Sequence, residues 1–229
     1  MMHAMPGREN NDEFAAGRER MLRWDLQGRD ITDPRVLAVM GEVPREEFLP
    51  ASQRSQAYHD GPLPIGSGQT ISQPYIVALM TQHLRLNQSC NVLEIGTGCG
   101  YQTAVLCRLA RKVFTIERFS ELAESAQAVL GGLRINNVEF HVGDGSCGWP
   151  EARLPKSGCF DRVMVTAAVP AVPEPVARQL REGGLIVVPI GAPGVQELVV
   201  CEKEADKLVE KSICDVRFVK LIGKYGFEA

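Results

Sequence analysis

Four points along the chain combine residue types that could hold a ligand. Glu94 lies in the apolar run Val92-Leu93-Glu94-Ile95, and the loop Gly96-Thr97-Gly98-Cys99-Gly100 follows it. Glu117 closes the run Lys112–Glu117, Asp144 lies in Gly143-Asp144-Gly145, and Thr166-Ala167-Ala168 follows Phe160–Val165. Glycine at every second position lets a bulky group approach the backbone. The N–H groups of such a loop, opening a helix, attract anionic groups. An acid about 20 residues beyond the loop, here Glu117, is placed to accept hydrogen bonds from a ribose diol. Asp144 could accept from an adenine amino group. Together these features point to an adenosine-containing cofactor.

The loop is G-x-G-x-G. It lacks the G-x-G-x-x-G spacing of dinucleotide binding, which disfavours a nicotinamide-dependent oxidoreductase, and it lacks the Gly-Lys-Ser/Thr ending of a phosphate loop. Glu94, just before the loop, would repel a pyrophosphate but tolerate a zwitterion with a positive sulfur. S-adenosyl-L-methionine has a ribose diol, an adenine, an amino-acid head and a sulfonium, and it suits all of these positions.

Those residues need strands that end at one edge. Val92–Ile95, Lys112–Glu117, Val138–Val142, Phe160–Val165 and Leu185–Ile190 read as strands. Helices are predicted over Tyr101–Leu109, from Ser120 to Gly131-Gly132, and over Pro175–Leu180. Alternating strands and helices imply parallel strands joined by right-handed crossovers, with ligands at the carboxyl ends of the strands. Glu197–Glu202 and Lys207–Phe218 flank a charged turn and read as a hairpin. The predicted fold is an α/β doubly wound, mostly parallel, Rossmann-like sheet with an antiparallel C-terminal hairpin and an N-terminal helical extension. The expected division is a mobile tail over 1–12, a helical region with a substrate loop over 13–89, and the cofactor-binding core over 90–229, in one structural domain. A helix over Glu13–Gln27 and another opening at Asp33-Pro34 make up the extension.

The 229 residues suffice for one such domain, and 45% apolar with 23% charged residues is ordinary for a folded chain. A net charge of −3 and a pI of about 5.9 give no global basic face for nucleic acid. No apolar run reaches the length of a membrane helix, and residues 1–20 lack the apolar core of a secretory signal. Seven cysteines at irregular spacing, without a C-x-x-C pair, suit reduced thiols rather than a metal site. The expectation is a cytoplasmic monomer without a metal.

Upstream of the glycine loop, residues 58–69 are dense in turn formers and read as a loop. Thr70-Ile71-Ser72-Gln73 precedes a helix opened by Pro74. Taken alone, Ser72 or Gln73 reads as a helix cap.

The stretch Val92–Tyr101 resembles the first motif of class I S-adenosylmethionine-dependent methyltransferases. Adding Tyr58–Gly66, Gln69–Tyr75, Gly143-Asp144-Gly145 and Val165-Thr166-Ala167-Ala168, the chain is similar to the bacterial protein-L-isoaspartate O-methyltransferase family. The likeness runs from about Val43-Pro44-Arg45-Glu46 to Arg217-Phe218-Val219, and the Thr-Ile-Ser-Gln-Pro segment is its most specific part. The resemblance implies methyl transfer to the free carboxylate of L-isoaspartyl residues in damaged proteins and peptides, leaving S-adenosyl-L-homocysteine. The methyl ester then cyclises to a succinimide that can reopen to aspartate. It also implies Ser72 as the active-site residue, with Thr70, Ile71, Thr166, Ala167 and Ala168 lining the substrate pocket. Glu94, Gly96, Thr97, Gly98, Gly100, Glu117, Asp144 and Gly145 would hold the cofactor. His59 and Gly61 stand where an acid and an arginine are common in that family. Cys99 replaces a serine or alanine and would make the enzyme sensitive to oxidation. Rival readings are a class I methyltransferase acting on a small molecule or RNA, and a non-catalytic isoaspartyl adaptor. The adaptor is disfavoured because no further module is expected after the hairpin.

Overall fold

A computed structural model describes residues 7–228. Helix α1 (Gly7–Arg20) runs into a wider π-type turn over Met21–Leu26. The tail expected over 1–12 therefore divides: residues 1–6 lie outside the described residues, and 7–12 open α1. Charged residues there offer no apolar pattern to read, but extending an established helix needs none, because each added residue brings its own hydrogen bond. Helix α2 (Pro34–Glu42) starts as predicted, with the Asp33 carboxylate accepting the Arg35 N–H at 2.9 Å and proline in the first turn.

The segment read as a loop contains a hairpin, β1 (Leu63–Gly66) and β2 (Gln69–Ile71), with Leu63 opposite Ile71. Ser67 and Gly68 both have positive φ, which suits a two-residue turn between twisted strands. Strands this short give no periodicity to find in the sequence. Helix α3 (Pro74–His83) follows.

The main sheet begins with β3 (Asn91–Ile95), α4 (Tyr101–Leu109), β4 (Lys112–Glu117), α5 (Ser120–Gly132) and β5 (Val138–Val142). It continues with β6 (Phe160–Val165), α6 (Glu174–Arg178), β7 (Leu180–Ile190), β8 (Gln196–Glu204) and β9 (Lys207–Val216). Strand order is β5-β4-β3-β6-β7-β8-β9; the first five strands are parallel, and β8 and β9 add the antiparallel edge. Strand β7 starts earlier than predicted, at Leu180, and its added first arm carries the exposed residues Arg181, Glu182 and Gly183, which give no apolar run to read. The chain leaves β3 for β4 on one side and later returns to β6 on the other. That reversal opens a crevice at the carboxyl end of β3.

All five β3 residues are buried, as expected of a central parallel strand covered on both faces. On one face Val92, Val113 and Met164 pack with Val77, Met80 and Leu106 and, beyond them, with Met21, Leu26 and Met40 of the N-terminal region. On the other, Leu93, Phe114 and Val163 pack with Trp149 and Phe160. Phe114 meets both aromatic rings edge-on, each at 5.3 Å. The Trp149 backbone is clasped by the Gln179 amide, which accepts its N–H at 2.8 Å and donates to its carbonyl at 2.7 Å.

Phe160, fully buried in that aromatic group, tests the second face. Phe160→Ala should lower the unfolding free energy by about 3–5 kcal/mol in urea denaturation. A loss under about 1 kcal/mol would show that the face is loosely packed.

Candidate active site

The loop after β3 is shaped by backbone that only glycine adopts readily. Gly96 has φ +96°, and a Cβ there would lie 2.2 Å from Thr166 Oγ1. Thr166, at the end of β6, fills that space and ties the strand ends together. Its N–H donates to the Ile95 carbonyl at 2.9 Å, and its hydroxyl is 2.7 Å from the Gly96 carbonyl. The Glu117 carboxylate accepts the Gly98 N–H at 2.9 Å through Oε2 and the Phe119 N–H at 3.1 Å through Oε1. Helix α4 then opens with Gly100 as its first flanking residue. Gly145 lets the turn after β5 close in, since a Cβ there would stand 2.5 Å from Ile95 Cγ2.

These strand ends enclose a cavity of about 370 Å³, a size suited to a small ligand. Gly96, Thr97, Gly98, Glu117 and Gly145 line it, with Thr166 and Ala167, and Thr70, Ile71 and Ser72 close its far side. A second cavity, of about 490 Å³, opens beside the first toward Asp215–Val219. Thr70, Ser72, Thr166 and Val219 are common to both walls, so these residues stand where the two spaces meet. Ser72 does not cap α3: the flanking position is Gln73, which makes no side-chain cap bond. Among the described residues the Ser72 hydroxyl has no hydrogen-bond partner, so it is free to bind a ligand.

Four residues singled out from the sequence stand off the first cavity's wall. Gly100 lies behind it, where its Cβ would press on Ala126 at 3.0 Å. Glu94 is fully buried beneath the loop, and its Oε2 accepts from the Thr103 and Thr115 hydroxyls at 2.6 and 2.7 Å. Its Oε1 is buried without a partner. Burial outweighs the two hydroxyl donors and pushes the Glu94 carboxyl up to about 8. The Asp144 side chain accepts from the Ser146 N–H at 2.9 Å, the Ser146 hydroxyl at 2.6 Å and the Lys224 N–H at 2.8 Å. In this geometry it holds the C-terminal segment. Ala168 uses its backbone for the same purpose, donating to the Val219 carbonyl at 2.7 Å and accepting the Leu221 N–H at 2.8 Å.

That C-terminal segment is what sequence reasoning missed. Residues 219–222 line the first cavity, yet they follow the last strand without periodicity and carry no motif. Arg45, whose guanidinium donates to the Ser72 carbonyl at 2.7 Å, was also missed as a site residue. Cys99 lines the cavity, but burial pushes its thiol up to about 11. Thiolate is the species that oxidants attack, and this shift disfavours it, while the half-buried position leaves the sulfur at the cavity wall. Among the described residues no group of three or more His, Cys, Asp or Glu could hold a metal ion.

A model of the protein-L-isoaspartate(D-aspartate) O-methyltransferase family matches residues 17–226. A protein-L-isoaspartate O-methyltransferase of Trichlorobacter lovleyi is 50% identical over 216 residues, spanning 94% of this chain and 97% of the relative. One from Methanoregula boonei is 50% identical over 211 residues, 92% of this chain and 95% of the relative. A solved protein-L-isoaspartate O-methyltransferase superposes with a TM-score of 0.80 at 32% identity, over 91% of this chain and 67% of that one. A Plasmodium falciparum structure in complex with S-adenosyl-L-homocysteine shares the fold, with a TM-score of 0.74 at 23% identity over 91% of this chain and 98% of that one.

Glu94 gives a prediction with a definite sign. Its carboxyl is raised in the folded chain, to about 8 from an ordinary 4.5. As pH rises through that window the unfolded chain loses a proton that the folded chain keeps, so stability falls. Glu94→Gln removes this loss. Without ligand, the variant should gain stability relative to the parent between about pH 5 and pH 8.5, by up to roughly 5 kcal/mol. Parallel stability–pH curves would show that Glu94 is ionised in the folded protein.

Proposed function

The chain belongs to the protein-L-isoaspartate O-methyltransferase family, and from that premise we propose how its residues divide the work. The enzyme transfers a methyl group from S-adenosyl-L-methionine to the free carboxylate of L-isoaspartyl residues in proteins and peptides, leaving S-adenosyl-L-homocysteine. The resulting ester is the starting point for repair through a succinimide. The observation that carries the division is the placement of Ser72: its unpartnered hydroxyl stands on the wall shared by a glycine-floored cavity and a second cavity open to the surface.

The first cavity suits the cofactor. Gly96 and Gly98 bring bare backbone to its floor, and Thr97 and Gly145 continue it. Glu117 stands at the wall, where each of its oxygens takes one backbone N–H. A carboxylate has about four acceptor sites, so it retains capacity for two ribose hydroxyls. Glu94 and Gly100 act one layer further back, by holding the loop. Asp144 acts through the C-terminal segment that it ties down, and Gly145 through close packing. When bound, S-adenosyl-L-methionine supplies a methyl group on a positively charged sulfur.

The second cavity suits the isoaspartyl segment. A carboxylic acid with a pKa near about 4 is ionised at neutral pH, so methylating it requires no general base. No histidine lines either cavity. The chain's task is to fix the acceptor oxygen and keep water away. Ser72 donates a hydrogen bond to the oxygen that does not attack. Thr70 and Thr166 shape the passage between the two spaces, Ile71 and Ala167 line its cofactor side, and Ala168 holds the segment that covers it. The seven cysteines are all free thiols, which supports a reducing, cytoplasmic setting. No helix of the described residues is long and apolar enough to cross a membrane.

Ser72→Ala should lower kcat on an isoaspartyl peptide by about 10- to 100-fold, with S-adenosyl-L-homocysteine affinity held within about threefold. Glu117→Ala should do the reverse, weakening cofactor binding by about tenfold or more. Near-normal turnover by Ser72→Ala would show that the hydroxyl has no role in the reaction.

A further inference from the structure

Arg45 is fully buried, yet no carboxylate pairs with it among the described residues. The neighbouring Glu46 is engaged elsewhere, accepting from the Arg18 guanidinium and the Tyr58 hydroxyl. Arg45 instead spends its donors on two carbonyls. Its Nε donates to Ala57 at 2.8 Å and its Nη2 to Ser72 at 2.7 Å, while Nη1 is buried without a partner. Its guanidinium carbon lies 4.8 Å from the centre of the Tyr101 ring. Burying an incompletely bonded guanidinium works against stability, and apolar packing would fill the same volume at less cost.

What that burial achieves is geometric. The Ser72 carbonyl belongs to the segment that closes the far side of the first cavity. Tyr101 is the first residue of α4, immediately after the glycine loop. A single rigid, planar group thus touches both halves of the site. Its fork fixes two carbonyls in a set relation to each other, and its face rests on the ring that opens α4. Nothing else among the described side chains hydrogen-bonds to Ser72. The following residue is braced separately, the Gln73 amide donating to Asp60 Oδ2 at 2.7 Å.

We propose that Arg45 is a positioning residue for methyl transfer, holding the Ser72 backbone at a fixed distance from the glycine loop so that the serine hydroxyl meets the acceptor carboxylate in register. The proposal rests on the role given to Ser72 above. Arg45 lines neither cavity and acts only through the segment it holds. A lysine would carry the same charge but, as a point donor, could not reproduce the fork. A methionine would keep only the stem.

The test is a cycle of Arg45→Met, Ser72→Ala and the double variant, measured for kcat on an isoaspartyl peptide and for S-adenosyl-L-homocysteine affinity by calorimetry. Arg45→Met should lower kcat about 30-fold with the affinity within about threefold, and Arg45→Lys should fall between it and the parent. In the Ser72→Ala background Arg45→Met should cost less than about threefold further, because the hydroxyl it positions is already gone. Arg18→Met, which disturbs the adjacent Glu46 cluster without touching Ser72, should keep kcat within about threefold even at a matched loss of Tm. If Arg45→Met does not fold, Arg45→Lys takes its place in the cycle under the same criteria. Multiplicative losses in the double variant, equal damage from Arg18→Met, or affinity falling in parallel with kcat would each overturn the proposal. Failure of the parent enzyme to methylate the peptide would instead defeat the functional reading itself, and this inference with it.

Discussion

The contact between Thr166 and Gly96 governs the geometry of the whole site. Two parallel strands, β3 and β6, end side by side where the chain reverses its order across the sheet. Thr166 occupies the volume that any side chain at position 96 would need, and its N–H and hydroxyl close the seam by bonding to Ile95 and Gly96 carbonyls. The loop is thereby sent over the sheet edge, where Glu117 catches the Gly98 N–H and α4 begins. A cavity with a backbone floor follows from that one close approach.

Two buried ionisable groups sit beneath this arrangement and are handled in opposite ways. Glu94 resolves its burial by favouring the neutral acid, with two threonine hydroxyls around one oxygen. An arginine has no such escape, because its guanidinium stays charged even when burial lowers its pKa. Arg45 remains a cation among carbonyl oxygens and an aromatic ring. Neither group reaches a ligand directly. Each organises the segment above it: Glu94 the strand leading into the glycine loop, and Arg45 the strand leading into Ser72. Charged residues in a site are therefore not all contacts, and burial distinguishes the two kinds.

Much of the fold was legible because each core element carried its own signal. Strands β3, β4, β5 and β6 and helix α4 fell within a residue of their expected bounds, since apolar runs closed by glycine or an acid mark both ends. The hairpin β1–β2 was not legible. Its strands are too short for alternation, although Ser67-Gly68 is a turn pair that could have suggested it. In the site, the glycine loop, Glu117 and Thr166 were read from the rule that ligands gather at strand ends, whereas Ser72 came only from the family resemblance of Thr70-Ile71-Ser72-Gln73. Glu94 and Asp144 also lie close to strand ends, but the rule does not say which way a side chain turns: Glu94 points under the loop, and Asp144 toward residues 223–224. Arg45 and residues 219–222 reach the site through tertiary folding from its two flanks, which no local pattern encodes. The helix-cap reading of Ser72 was locally reasonable, and it gave way because the cap position falls one residue later, on Gln73.

The central claim is that the Ser72 wall presents one carboxylate, that of an isoaspartyl residue, to the glycine-floored cavity. It is tested most directly by radiolabelled methyl transfer from S-adenosyl-L-methionine to two peptides that differ only in an isoaspartyl or an aspartyl linkage at one position. Label should enter the isoaspartyl peptide and not its aspartyl twin. Equal labelling of the two, or none in either, would contradict it.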